Sequence, residues 1–220
     1  MSYQFEATDD YFTAEKKVTT LISFAQGEGK KGNDENRELF LKLGVVFLVT
    51  RFQVYVEDIL KEFNYKLIKT NKTNLELPIQ LRLNAIKIHS ESKPLNKELE
   101  NPTTYNNQKL REFHSIISLL DDWCNDKNVI HQEFKINTQF PLGKQGLNEL
   151  KGLFKQVEGK DIFGNARFDI NKLNEILGRR HDIIHEDKNM QLTEVTLKEY
   201  KKFIAKVVKH IDRYLRRIVK

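Results

Sequence analysis

The chain has 220 residues, of which 39% are hydrophobic and 31% charged, and these fractions exclude a disordered chain. One cysteine excludes an internal disulfide, and the acidic N-terminus MSYQFEATDDYF lacks the apolar core of a signal peptide. The most apolar run, LGVVFLV at 43–49, is too short to span a membrane, so we expect no membrane partner, and the single cysteine fits a reducing cytoplasm.

Apolar residues recur at helical spacing, and only 10 Gly and 4 Pro interrupt them, which predicts an all-α fold. The first helix is predicted from about Asp9 to Ala25, and the polar segment GEGKKGNDEN at 27–36 is predicted to be a flexible connector. The second helix is predicted from about Glu35 to Phe63 or beyond, in a central position. Its predicted apolar stripe is Leu39, Phe40, Leu43, Val46, Phe47, Thr50, Val54 and Tyr55.

The rest of the chain is predicted to be less regular at first and then strongly helical. Short helices are predicted after Pro78, near 104–124 and at about 145–156, with a loop over 128–144. Asp169 is the predicted N-cap of the next helix, and the last helix is predicted to begin near Thr193 or Thr196. The stripe of the Asp169 helix is predicted as Ile170, Leu173, Ile176, Leu177 and Ile184.

Four main helices therefore emerge, and they predict a four-helix bundle. Residues 67–160 are predicted to be a largely helical insertion or sub-domain between the second and third core helices, within a single domain over 1–220. The net charge is +6, and residues 189–220 alone hold nine Lys or Arg and three acids. A basic last helix can attract phosphates, although a solvated helix face is an equally good interpretation.

The decapeptide GRRHDIIHED at 178–187 is the densest group of chemically active side chains. Its simplest interpretation is a solvated helix end, because cations in a last turn interact well with the helix dipole. Arg180, however, falls in line with Leu173, Leu177 and Ile184 at 100° per residue. A guanidinium on the stripe that faces other helices needs a partner or a function.

A metal site is a second interpretation of the same decapeptide. His181 and His185 stand four residues apart on one helix face, and HDIIH differs from the zinc-protease pattern HExxH by one methylene. A zinc hydrolase would need a third ligand, and the candidates Glu199 and His210 stand at no recognised spacing.

Acid–base chemistry on RNA is the third interpretation. Metal-free RNA cleavage needs a base for the 2′-hydroxyl proton, an acid for the leaving oxygen and a cation for the phosphorane. Histidine can serve either proton transfer near neutral pH, and arginine can hold phosphate oxygens through two donors. Arg180 and His185 supply only part of this set, but a two-fold dimer would place two of each in one cleft.

The segment RHDIIH resembles the Arg-x4–6-His motif of the HEPN ribonucleases. The stretch RFQVYVEDILKEF at 51–63 resembles the second-helix signature of the RiboL-PSP-HEPN-like branch, which is linked to RNA-targeting toxins and phage defence. The order of LNELKGLFKQVEGKDIF, LNEILGRRHDIIH and TLKEYKKFIAKVVKHIDRYL is also similar to that branch: a helix, the motif helix and a final helix.

This resemblance implies an all-α HEPN bundle and a metal-independent endoribonuclease without cofactor, whose cleft forms across a homodimer. By position, Arg180 and His185 are the core catalytic pair, and His181 aids phosphate binding or proton transfer or only fills a polar position. Glu57 either holds Arg180 from the second helix or is solvated. Arg179 could be the motif arginine with one more spacer residue, but the inward stripe position favours Arg180.

The resemblance also implies RNA as the substrate and an antitoxin or regulatory protein as a possible partner. One departure from the family concerns Asp187, because HEPN toxins paired with nucleotidyltransferase antitoxins carry a tyrosine there. Neutralisation by modification of that tyrosine is therefore not expected. A catalytically inactive HEPN adaptor that binds RNA or protein is the main alternative, and intact Arg180 and His185 argue against it.

Overall fold

The computed structural model describes residues 5–92, 117–118, 120–130, 132–142, 146–164, 168–185 and 191–220, with the backbone alone at 89–92. Within these ranges there is no β-strand, and Thr73 and Val129 form an isolated antiparallel bridge. The fold is all-α, as predicted. The helices with described bounds are α1 (Glu6–Lys30), α2 (Asp34–Ile68), α3 (Ile79–Ser92), α4 (Gly146–Glu158), α5 (Ile170–His185) and α6 (Glu194–Val219).

Helix α2 is the central element, as its composition predicts, because it contacts α1, α5 and α6. It forms a hairpin with α1, and α6 packs against both helices. At Gly44 the backbone of α2 comes so close to Leu197 of α6 that an added Cβ would overlap Leu197 Cδ2. Buried hydroxyls also join the helices, since Tyr55 Oη donates to the carbonyl oxygen of Val208 at 2.9 Å.

The stripe predicted for α2 is wrong for most of its members: Tyr55 is buried, and Phe40 and Phe47 pack partly against the core. The buried face instead carries Leu41, Val45, Leu48, Phe52 and Ile59 with their neighbours. Three of the predicted residues point the other way, since Leu39, Leu43 and Val54 are 51%, 45% and 39% exposed. Because α2 is apolar on both sides, the three-four spacing fits either face and does not select the core. We call Leu39, Leu43, Val46, Thr50 and Val54 the outer face of α2.

The connector between the first two helices is much shorter than the predicted segment 27–36. Helix α1 continues through Gly27 and Gly29 to Lys30, and α2 begins at Asp34. The Glu28 carboxylate draws the two helix ends together by accepting hydrogen bonds from Lys31, Asn33 and Asn36 at 2.7, 3.0 and 3.3 Å. Gly32 supplies the turn with a φ of 77°, which a residue with a side chain rarely adopts.

The described parts of residues 67–160 pack on the same core as the long helices. The predicted helices after Pro78 and at about 145–156 are confirmed as α3 and α4, which contact each other. Residues 132–142 lack helix, as predicted, and bury Phe134 and Phe140 in the core cluster. Of the helix predicted near 104–124, residues 117–118 and 120–124 are helical, and 104–116 lie outside the described residues.

The start of each of the last two helices is fixed by a side-chain cap. Asp169 Oδ1 accepts from the backbone N–H of Lys172 at 3.1 Å, which confirms the predicted cap of α5. Thr193 Oγ1 accepts from the N–H of Thr196 at 3.1 Å, so Thr193 rather than Thr196 caps α6. Each side chain satisfies a donor that the first helical turn leaves without a backbone partner.

Length and composition alone would allow α2 to cross a membrane, because it has 35 residues with a mean hydropathy of 1.7 in its most apolar window. The apolar part of α2 is therefore longer than the run 43–49, from which the sequence predicted that no segment could span a membrane. The central helix of a soluble core has the same properties, and the contacts of α2 with α1, α5 and α6 are those of such a helix.

The N-termini of α2 and α6 are tied by a bidentate ion pair, which predicts an acid-sensitive contribution to stability. Arg37 Nε and Nη2 each donate to the Glu194 carboxylate at 2.8 Å, and these hydrogen bonds lower the pKa of Glu194 to about 2. The stabilisation is present above the ordinary pKa of 4.5 and is lost as the pH falls towards 2.

Replacing Glu194 with glutamine should therefore lower the free energy of unfolding at pH 7 and have progressively less effect as the pH falls below 4.5. Urea denaturation of both proteins at pH 7 and near pH 3 measures this difference. The interpretation is wrong if the glutamine variant is destabilised equally at both pH values.

Candidate active site

Helix α5 buries its first half and leaves its last turns at the surface. Leu173, Ile176 and Leu177 are buried, whereas every described residue from Gly178 to His185 is half-buried or exposed. Ile184 was predicted on the buried stripe but is 47% exposed, and Ile183 packs partly against the core instead. The predicted stripe is therefore correct for the start of α5 and wrong for its end, where the helix periodicity continues but packing partners become fewer.

Arg180 is half-buried at the junction between α5 and the segment 132–142. Its Nη1 donates to the carbonyl oxygen of Leu142 at 3.4 Å, a long hydrogen bond. Its Nε is buried and has no hydrogen-bond partner, and no carboxylate among the described residues pairs with its guanidinium. An unneutralised cation with unused donors favours the binding of an anion, since an unsatisfied buried donor costs on the order of 1–3 kcal/mol.

Arg179, one residue earlier, is engaged with α6 instead. Its Nη2 lies 3.4 Å from Glu175 Oε1, and the same carboxylate oxygen accepts from Tyr200 Oη. Burial acts to lower the pKa of Arg179, but the contacts with Tyr200 and Glu175 outweigh it, so this pKa ends above its ordinary value. Burial and the hydrogen bond with Glu175 raise the pKa of Tyr200 to about 12. This cluster links α5 to α6 through Glu175, Arg179 and Tyr200.

His181 and His185 lie side by side on one flank of α5. Their ring centroids are 4.7 Å apart with an angle of 42° between the ring planes. His181 is half-buried and His185 is exposed, so both rings are within reach of a ligand from solution. Helix geometry directs the two histidines away from Arg180, because the side chains of Arg180 and His185 leave the helix axis about 140° apart.

The described residues contain no group of three His, Cys, Asp or Glu side chains that could hold a metal ion. Both third ligands suggested by the sequence are engaged elsewhere. Glu199 accepts from Lys172 at 3.1 Å, and His210 Nε2 lies 2.9 Å from the carbonyl oxygen of Ile162. A zinc site on His181 and His185 would therefore need a ligand from another chain or from residues outside the described ranges.

Glu57 and Arg180 hold the same loop at two points and do not contact each other. Glu57 Oε1 accepts from the backbone N–H of Phe140 at 3.1 Å, and Gln53 Nε2 donates to the Phe140 carbonyl at 2.8 Å. Phe140 lies two residues before Leu142, whose carbonyl oxygen binds Arg180. Glu57 is thus placed to position Arg180 indirectly, and sequence spacing gave no signal for Gln53 or Leu142.

This arrangement predicts a difference between two substitutions of Glu57. Glutamine keeps an oxygen that can accept from Phe140, whereas alanine removes the acceptor and leaves that N–H without its partner. We expect Glu57→Gln to retain most of the activity of the site and Glu57→Ala to reduce it by about tenfold, the equivalent of one lost hydrogen bond of about 1.4 kcal/mol. Equal losses in both variants would mean that the charge of Glu57, and not its hydrogen bond, matters.

Residues 186–190 lie outside the described residues, and with them Asp187, the position that departs from the tyrosine-bearing toxins. The end of the motif helix is therefore described up to His185. The structure places Arg180 beside Leu142, Arg179 beside Glu175 and His181 beside His185.

The chain was compared with family models, with curated proteins and with solved structures. The model of the RiboL-PSP-HEPN family matches residues 9–217, which includes α2, α5 and α6 as well as the intervening segment. No curated protein and no solved structure matches the chain. The matched range spans nearly the whole sequence and contains Arg180, His181 and His185 in helix α5. The chain belongs to the RiboL-PSP-HEPN family, and its membership indicates a role connected with RNA.

Proposed function

We propose that the protein is a metal-independent endoribonuclease whose active site is completed by a second copy of the chain. One observation carries this proposal: Arg180 presents a half-buried guanidinium without a carboxylate partner among the described residues, on the same helix as two adjacent imidazoles. A cation with unused hydrogen-bond donors and two proton-transfer groups on the same helix are the kinds of side chain that phosphodiester cleavage needs.

The reaction would begin with attack of a ribose 2′ oxygen on the adjacent phosphorus. One histidine takes the 2′-hydroxyl proton as the new P–O2′ bond forms, and Arg180 binds the non-bridging oxygens as negative charge builds on them. The P–O5′ bond breaks, and a second, protonated histidine gives its proton to the 5′ oxygen. The products are a 2′,3′-cyclic phosphate and a 5′-hydroxyl. His185 is the proposed proton-transfer residue, with His181 supporting it.

A single copy of α5 directs Arg180 and His185 about 140° apart, which favours assembly of the site from two copies. Exposed apolar surface on α2 supports such a contact. The outer face of α2 includes Leu39, Leu43 and Val54, which are 51%, 45% and 39% exposed. It continues into Gln53 and Glu57, which bind the loop that contacts Arg180. A Cβ at Gly178 would meet no described atom within 4 Å, leaving room for a neighbouring chain.

The proposed biological role is that of a toxin or phage-defence effector, for which family membership is the support. Such an effector would be held inactive by an antitoxin or other regulatory protein until it is needed. The apolar outer face of α2 and the open end of α5 are surfaces that a regulator could cover.

Incubation of purified protein with single-stranded RNA, with and without EDTA, tests the proposal. We expect cleavage in both samples and products that end in a 2′,3′-cyclic phosphate. Cleavage abolished by EDTA and restored by zinc would support the hydrolase alternative, for which the adjacent rings of His181 and His185 are the supporting observation. Binding without cleavage in either sample would identify an adaptor.

A further inference from the structure

The outward side of α6 is a strongly basic surface, on which Arg217 pairs with Glu158 of α4 at 2.7 Å. Eight cationic residues fall within an arc of about 100° on the side opposite to the buried stripe, over a length of about 33 Å. We call this set the basic face. Seven of its members are exposed and Arg216 is half-buried; the set is Lys198, Lys202, Lys206, Lys209, Arg213, Arg216, Arg217 and Lys220.

The acids of this segment do not neutralise the basic face, because each is held by another element. Glu194 pairs with Arg37 of α2, and Glu199 pairs with Lys172 of α5. Asp212 is buried and accepts from Thr8 Oγ1 at 3.0 Å, with a distant contact of 3.9 Å to Arg216. The net charge of this segment counts these acids, but in the folded protein they lie away from most of the cations of the basic face.

Helix α2 shows how cations are usually accommodated in this protein. Lys42 pairs with Glu38 and Lys66 with Glu62, in each case one helical turn apart. On the basic face the residue four positions before Lys202, Lys206, Arg213, Arg217 and Lys220 is another cation, and like charges at this spacing repel. Lys202, Lys206, Arg213 and Lys220 have no carboxylate within 4.0 Å among the described residues.

The C-terminal part of the basic face widens into a groove of about 580 Å³. Its described lining is His210, Arg213, Tyr214, Arg216, Arg217 and Lys220. The opposite end of the face lies next to α5, because Glu199 and Tyr200 contact Lys172 and Glu175. A chain bound along α6 would thus run between this groove and the helix that carries Arg180 and His185.

We propose that the basic face binds the phosphate backbone of single-stranded RNA and guides it to the active site on α5, an inference that rests on the proposed function. A stacked strand carries one phosphate per 3.4 Å, so the face matches about ten phosphates. The regular spacing of the cations along the whole helix fits a linear polyanion better than one compact phosphate group. An anionic membrane fits less well, since the large apolar side chain exposed on α6 is Val195, at its N-terminal end.

Binding of a fluorescein-labelled oligoadenylate of about twenty nucleotides, twice the length of the face, tests the proposal in the His185→Ala background. The variant Lys202→Gln/Lys206→Gln/Arg213→Gln removes three charges from the face. The matched control Lys16→Gln/Lys17→Gln/Lys30→Gln removes three exposed charges from α1. Fluorescence anisotropy between about 50 and 200 mM salt gives the affinity and its salt dependence.

We expect the α6 variant to bind at least tenfold more weakly and its log–log salt slope to fall by about 2, because each lost contact with a single strand removes about 0.7. The α1 variant should bind within twofold of its parent. Equal binding by all three proteins, or equal losses in both variants, overturns the proposal. The proposal is also overturned if the α6 variant binds RNA as its parent does but no longer sediments with phosphatidylserine vesicles.

The same proteins with His185 restored separate this proposal from the proposed function. RNA binding that depends on α6, without any cleavage by the wild-type chain, leaves the binding surface intact and contradicts the endoribonuclease. Cleavage that is equally fast in the wild-type chain and the α6 variant supports the endoribonuclease and overturns the basic face as its RNA track.

Discussion

Replacing His185 with alanine should slow RNA cleavage by about 10²- to 10⁴-fold, the usual contribution of a general acid or base. Replacing Arg180 with alanine should cost about 10²- to 10³-fold, because the phosphorane would lose its preorganised cation. Neither change should unfold the protein, since His185 is exposed and Arg180 makes one long hydrogen bond to Leu142. Initial rates of cleavage and thermal denaturation of each variant measure the two effects separately.

Arg179 provides the matched control for this experiment. Arg179→Ala removes the neighbouring arginine side chain, one position before Arg180. It breaks the contact with Glu175 and α6 instead of the proposed contact with phosphate. We expect Arg179→Ala to lower stability and to leave most of the cleavage activity. If Arg179→Ala abolishes cleavage and Arg180→Ala does not, the motif arginine is Arg179 and the longer spacing applies. Full activity in both Arg180→Ala and His185→Ala would falsify the catalytic assignment.

Replacing Leu43 with glutamate should convert the proposed dimer into monomers and reduce cleavage in proportion to the dimer lost. Leu43 lies on the outer face of α2, and a symmetric interface would bury two introduced carboxylates without partners. A residue at the centre of an interface contributes about 2 kcal/mol or more, so the dissociation constant should rise by about 30-fold or more. Analytical ultracentrifugation and cleavage rates over the same range of protein concentration measure this coupling.

Leu75→Glu is the control for this substitution, because Leu75 is 65% exposed on the 3-10 turn at Asn74–Glu76, away from the outer face of α2. It should change neither assembly nor cleavage. Mixing inactive Arg180→Ala and His185→Ala chains should also restore partial activity, since each mixed site would retain one Arg180, one His185 and both His181 residues. A Leu43→Glu monomer that cleaves RNA at the wild-type rate contradicts the composite site.

The local features of this fold were predictable from the sequence. Helix α6 was evident from its amphipathic period, the start of α5 from Asp169, and α4 from its regular leucines. These features depend on residues within one or two helical turns of each other. The motif on α5 was equally visible, because a helix of 3.6 residues per turn fixes which side chains share a flank. His181 and His185 do lie side by side.

The tertiary structure decided which face of α2 is buried and what each charged group contacts. The outer and inner faces of α2 have similar apolar spacing, so the packing of α1, α5 and α6 had to select one of them. The predicted link from Glu57 to Arg180 became two separate hydrogen bonds to one loop, at Phe140 and Leu142.

Residues far away in the sequence also pair with two acids of α6, Glu194 with Arg37 and Glu199 with Lys172. These acids are therefore engaged away from the basic face. Periodicity is a property of neighbours in the chain, and it determined the helices. Burial and ion pairing depend on residues far apart in the chain, and only the folded arrangement of the helices brings those residues together.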